Sequence, residues 1–225
     1  MPGATVVYVH GLWSSHADSF LLRRRLARDF GLEAHVFRYP SVRASMPEVT
    51  ERLAEFVRAL RPKTLHLIGH SLGGLVIYRC LERFPLESPG RVVFLGTPAL
   101  GCRAAVEFAR LPLARALVGR CVREELLVER ERRWRSDRPL GIIAGNRALG
   151  FGRLIVRYDG ESDGTIAVSE TRMPGATDHI TVAAGHMGLL VSEEAARQTG
   201  FFLRDGHFSV SRADPASPFT SARSP

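Results

Sequence analysis

The chain has 225 residues, 45% apolar and 24% charged, and carries a formal net charge of +8 at pH 7. That length buries one substantial core, and the composition excludes a disordered or membrane-embedded chain. The charge does not select nucleic acid as a partner, because a single aromatic residue, Trp134, falls within the arginine clusters at 23–28 and 130–135, too few to stack successive bases; attraction to an anionic lipid surface requires only the charge.

Short apolar or β-branched runs alternate with longer stretches of helical period, which predicts an α/β fold: a mostly parallel sheet of about six strands with helices on both faces. The run at 5–9 predicts the first strand. It lacks the basic start, long apolar stretch and cleavage site of a secretory signal, so a cytoplasmic location is expected. A helix over 20–30 and a strand over 33–37 follow. Ser45 with Glu48 three residues on predicts a capping box, and Val49, Leu53, Phe56, Val57 and Leu60 recur on one face of a helix that stops before Pro62. A strand over 64–68, a helix over 71–84 and a strand over 91–95 continue the alternation.

Across 98–139 the rhythm changes: two or three helical segments, broken at Leu111-Pro112-Leu113 and at Gly119, succeed one another without a strand. This stretch reads as a small helical cap over the strand ends, with a longer crossover as the alternative. Within it, Glu129 stands four residues before Arg133 and Glu131 four before Arg135, which predicts a solvated helix face. Strands over 140–144 and 180–182 complete one domain at 1–208, and 209–225, without apolar periodicity, reads as a disordered tail. Cys80, Cys102 and Cys121 cannot form a closed disulfide set, so reduced thiols are expected, with a bridge between Cys102 and Cys121 as the alternative. No Cys/His spacing suggests a metal, and no cofactor is implied.

The segment Gly69-His70-Ser71-Leu72-Gly73 fits G-x-S-x-G and sits directly after a strand at the start of a helix. There the serine takes a strained backbone conformation that lifts its hydroxyl clear of the sheet, and Gly69 and Gly73 remove side chains that would strike the neighbouring chain. A serine nucleophile needs a base, and the base needs an acid to fix its tautomer. Downstream lie Glu161-Ser162-Asp163-Gly164-Thr165 and Ala184-Gly185-His186-Met187-Gly188, giving Ser71, Asp163 and His186 in the order expected for a nucleophile-elbow hydrolase. Asp159 is the runner-up acid, ahead of Glu161 and Asp178. The backbone N–H groups of Leu72 and Leu12 are the expected oxyanion donors. Trp13 and Met187 flank the site and, with Leu113 and Leu117 of the cap, are expected to line an acyl pocket. His10 and His70 read as structural braces, and His179 as part of a strand.

Together, Val9-His10-Gly11-Leu12-Trp13, Gly69-His70-Ser71-Leu72-Gly73-Gly74, Gly96-Thr97-Pro98, Ser162-Asp163-Gly164 and Gly185-His186 resemble the lipase/esterase branch of the α/β-hydrolase family. The resemblance spans 5–208 and is greatest to compact bacterial esterases and lipases; the stretch 98–139 is longer than in the smallest members. It implies a Ser71–His186–Asp163 triad, oxyanion amides at Leu12 and Leu72, and a small-molecule or lipid carboxylic ester as substrate. Acyl transfer or thioester hydrolysis on the same triad, and a non-catalytic binding protein on the same scaffold, are the alternatives.

Overall fold

Strands buried on both faces carry continuous rather than alternating apolar runs, and 6–9, 92–95 and 140–145 are buried without interruption. The computed structural model describes residues 4–15, 17–111, 117–128, 130–149 and 157–209. In it β1 (Ala4–Val9), β2 (Ala34–Phe37), β3 (Thr64–His70), β4 (Val92–Leu95), β5 (Leu140–Gly145) and β6 (Asp178–Val182) form one sheet in the order β2-β1-β3-β4-β5-β6. Every neighbouring pair is parallel, so the segments leaving all six strands gather at one edge.

Helices α1 (Phe20–Phe30) and α7 (Glu193–Asp205) cover one face, burying Leu22, Leu26, Ala195 and Phe202 against Tyr8, Ile68 and Val93. On the other face, α2 (Met46–Leu60) and α3 (Leu72–Arg83) bury Val49, Leu53, Leu75 and Val76. The expected capping box starts α2: Ser45 N donates to Glu48 Oε2 at 2.7 Å, and Glu48 N to Ser45 Oγ at 3.4 Å. Shorter pieces are α4 (Arg103–Arg110), α5 (Arg120–Glu125), α6 (Val168–Thr171) and a 3₁₀ turn, Met187–Leu190.

Between β4 and β5 the chain first stays near the carboxyl edge of the sheet. Leu117 O accepts from Trp13 Nε1 at 3.2 Å, and Arg120 N donates to Val42 O at 2.9 Å, tying this stretch to the segments that leave β1 and β2. Beyond it the expected charged helix face is not formed: residues 130–135 carry no regular secondary structure. Burial overrides the surface pairing pattern there. Arg132 is 3% exposed, donates to Glu125 Oε2 at 3.1 Å and to Ala99 O at 3.3 Å, and Trp134 packs edge-on against Phe94 at 5.7 Å. Glu129 lies outside the described residues, as do Leu113 and the tail from 210 onward.

The three cysteines are free and buried, so no bridge joins Cys102 to Cys121. Cys121 Sγ donates to Ala44 O at 3.1 Å, while Cys102 Sγ accepts from Ala105 N at 3.3 Å. Among the described residues no helix is long and apolar enough to cross a membrane.

Candidate active site

Ser71 ends β3 and caps α3 with φ 52° and ψ −124°, a conformation that side-chain-bearing residues rarely adopt and that persists only when the surroundings enforce it. The enforcement is visible. Ser71 N donates to Leu95 O at 2.9 Å, and Gly74 N donates to Ser71 O at 3.1 Å. A Cβ on Gly73 would stand 2.1 Å from Val9 O, so only glycine lets α3 start this close to β1.

Asp163 is held from three sides. Its Oδ1 accepts from the N–H groups of Thr165 and Ile166 at 2.8 and 2.7 Å, and its own N donates to Ile166 O at 3.0 Å. Oδ2 is left for His186, whose Nδ1 stands 2.6 Å away, and His186 N donates to Asp163 O at 2.9 Å. The two residues are 1% and 8% exposed, so the contact is shielded from water. With Nδ1–H given to the carboxylate, Nε2 keeps its lone pair and can take a proton. Asp163 is thus the carboxylate that reaches His186. Asp159 is exposed, Glu161 accepts from Asn146 Nδ2 at 3.0 Å, and Asp178 accepts from the backbone N–H groups of His179 and Phe208.

Leu12 follows β1 and Leu72 opens α3, both beside Ser71. Among the described residues neither backbone N–H is bonded to a protein acceptor. Trp13 and Leu117 meet at the indole hydrogen bond and, with Met187 next to His186, stand at 62%, 58% and 48% exposure. These side chains, expected to line an acyl pocket, are exposed.

His10 stacks on Tyr39 at 4.4 Å and bonds Gly11 O at 2.9 Å through Nδ1, bracing the loop after β1. His179 Nε2 lies 2.9 Å from Thr171 Oγ1, away from Ser71. His70 does more than the sequence shows: its Nε2–H donates to His186 O at 3.2 Å, and burial holds its pKa down to about 3, so it stays a neutral donor. Two glycines also escape sequence reasoning. A Cβ on Gly96, which has φ 57°, would stand 3.1 Å from both Asp163 Oδ2 and His186 Nδ1, and one on Gly145 would stand 2.9 Å from Asp163 Cβ. The G-T-P motif signals the first only weakly, and nothing local signals the second.

A cavity of about 800 Å³, lined among others by Tyr78, Phe84, Leu86, Trp134 and Arg138, opens at the amino edge of the sheet and contains none of the site residues. The candidate site lies at the opposite edge. Among the described residues no group of three His, Cys, Asp or Glu side chains is arranged to hold a metal ion.

Comparison with known proteins agrees with this fold. A sequence profile described as the alpha/beta hydrolase family matches residues 6–199. The chain superposes on a Bacillus licheniformis lipase in its mature form with a TM-score of 0.71 at 21% identity, covering 91% of this chain and 92% of that one. A metagenomic carboxyl esterase gives 0.61 at 20% identity, covering 82% and 64%. The RedJ thioesterase of prodiginine biosynthesis in Streptomyces coelicolor gives 0.56 at 14%, covering 90% and 84%. At these identities the solved structures speak for the fold alone. No curated protein sequence matches the chain.

Proposed function

The chain belongs to the alpha/beta hydrolase family, and on that footing we propose that it is a serine hydrolase cleaving carboxylic esters through an acyl-enzyme. The observation that carries this reading is the buried 2.6 Å contact of Asp163 Oδ2 with His186 Nδ1, formed beside the strained Ser71 turn. Ser71 Oγ attacks the ester carbonyl carbon while His186 Nε2 takes the hydroxyl proton. The tetrahedral oxyanion is stabilised by the Leu12 and Leu72 amides, each worth about 3 to 4 kcal/mol in sites of this kind. Collapse expels the alcohol, which takes the proton from His186; water then attacks the acyl-enzyme with His186 again as base, releasing the acid and restoring Ser71. Trp13, Met187 and the segment containing Leu117 border the acyl side.

The test is turnover of a chain-length series of p-nitrophenyl esters by wild type and Ser71→Ala. The variant is expected to remain folded and to lose at least about 10⁴ in kcat, because triad members act as a unit. Equal turnover by the variant would overturn the assignment. Matched thioesters and added alcohol in the same assay rank thioester cleavage and acyl transfer against hydrolysis.

A further inference from the structure

We infer that the loop after β2 sets the direction of the Leu12 amide, gripping the turn after β1 through His10 on one side and Trp13 on the other, with Tyr39 and Ser41 as the positioning residues. The inference deepens the hydrolase reading and rests on it. His10 Nε2 accepts from Tyr39 N at 3.4 Å, so the ring proton sits on Nδ1, which donates to Gly11 O at 2.9 Å. The ring is stacked on Tyr39, His10 is 4% exposed, and burial lowers its pKa, so this neutral tautomer persists. Gly11 C=O and Leu12 N–H belong to one peptide unit. That unit is planar and trans, so a carbonyl held by the His10 ring turns the Leu12 N–H away from it. The Tyr39 hydroxyl donates to His10 O at 2.8 Å and fixes the preceding unit; Ser41 Oγ accepts from Trp13 N at 3.3 Å and fixes the following one. Three consecutive peptide units are therefore held by contacts that lead to Tyr39 and Ser41, while among the described residues Leu12 N–H itself has no protein acceptor. A Cβ on Gly11 would stand 3.0 Å from Ser71 Cβ, so the turn lies directly against the nucleophile.

Trp13 needs that grip because its backbone is strained. Its φ is 54°; among the described residues the other non-glycine residues with positive φ are Arg61, which caps α2, and Ser71. A side-chain-bearing residue is biased against the left-handed region by about five- to thirtyfold, and a bulky one adopts it only where its surroundings leave no alternative. Rotating Trp13 out of that region would carry the Leu12–Trp13 peptide with it and release the amide before it. Ser41 opposes the rotation at the backbone, while Leu117 O, accepting from Trp13 Nε1 at 3.2 Å, and Phe108, edge-on at 6.1 Å, hold the ring. Ser41 is itself firmly placed. It is 7% exposed, Pro40 O accepts from the N–H groups of Arg43 and Ala44 at 3.0 Å, and a Cβ on Gly119 would stand 3.0 Å from Ser41 O. An amide aimed in advance needs no reorganisation when charge develops on the substrate oxygen, so these contacts act on the transition state more than on bound ester.

Ser41→Ala is expected to lower kcat on a soluble short-chain p-nitrophenyl ester about tenfold while KM stays within about twofold, the split that marks a contact felt in the transition state. A trifluoromethyl ketone analogue of the same ester supplies the second readout. Ser71 Oγ adds to its carbonyl carbon, the hydroxyl proton passes to His186, and the resulting oxyanion rests beside Leu12. Its inhibition constant should rise by the factor by which kcat falls. Glycine enters the left-handed region as readily as the right-handed one, so in the Trp13→Gly background Ser41→Ala should cost no more than about twofold. Tyr39→Phe, which frees His10 O, should show the same parallel loss of turnover and of analogue affinity, and decides the matter if Ser41→Ala does not fold. Turnover at the wild-type level in both variants, lost turnover with unchanged analogue affinity, or an equal cost of Ser41→Ala with and without Trp13→Gly would overturn the inference and leave Ser41 and Tyr39 as packing residues only. A wild type that neither cleaves the ester nor binds the analogue would sink the hydrolase reading, and this inference with it.

Discussion

Asp163 uses its two carboxylate oxygens for different tasks, one for the amides of Thr165 and Ile166 and one for His186 Nδ1. An asparagine there would keep its oxygen toward the two amides and turn its NH₂ toward His186. The ring would then accept at Nδ1 and carry its proton on Nε2, the nitrogen needed as base. Asp163→Asn is therefore expected to fold and to lower kcat by about 10⁴, the scale known for a triad carboxylate made neutral in this way. Asp159→Asn, at an exposed position, should leave kcat within about twofold. Steady-state kinetics on a soluble ester decides between them, and reversed effects would move the acid role to Asp159. The sequence narrows the acid to a few neighbouring carboxylates and no further, because the choice depends on which loop folds against the ends of β4 and β5. Gly96 and Gly145 make that approach possible, and the partners they admit are far away in the chain.

At the scale of elements, α5 is held by buried charge. Glu125, 4% exposed, accepts from Arg79 Nε at 3.0 Å and from Arg132 Nη2 at 3.1 Å. The three residues are not equivalent. Without Glu125, the Arg132 guanidinium keeps only carbonyl partners in a buried place; without Arg132, Glu125 keeps Arg79. Glu125→Gln is expected to cost about 3 to 5 kcal/mol and Arg132→Met clearly less, since an uncompensated buried charge is the expensive outcome. Urea unfolding of both variants reads the order, and the reverse order would contradict it. This network is also where sequence reading fails. The Glu-to-Arg spacing at 129–135 is a surface signal, and nothing local to it shows that Arg132 turns inward to a carboxylate on α5. The six strands and α1 to α3 are legible because each carries its own periodicity, cap or breaker, and their ends fall within a residue or two of expectation.

For the whole molecule, the all-parallel order brings segments far apart in the chain to one edge, and Ser71, Asp163 and His186 all lie on segments leaving strands there, with Asp163 and His186 in contact. The order of the three residues and the glycines around Ser71 are legible in the sequence; the exposure of Trp13, Leu117 and Met187 is not, because it depends on how segments far apart in the chain lie against one another. The claim that this edge is a working serine hydrolase site is tested most directly by covalent labelling. A fluorophosphonate should add one equivalent to the wild-type protein, with the adduct mapping by peptide mass spectrometry to Ser71, and labelling should fall steeply in His186→Ala, which lacks the base. An adduct on another residue with Ser71 unmodified, or labelling that proceeds equally without His186, would contradict the account.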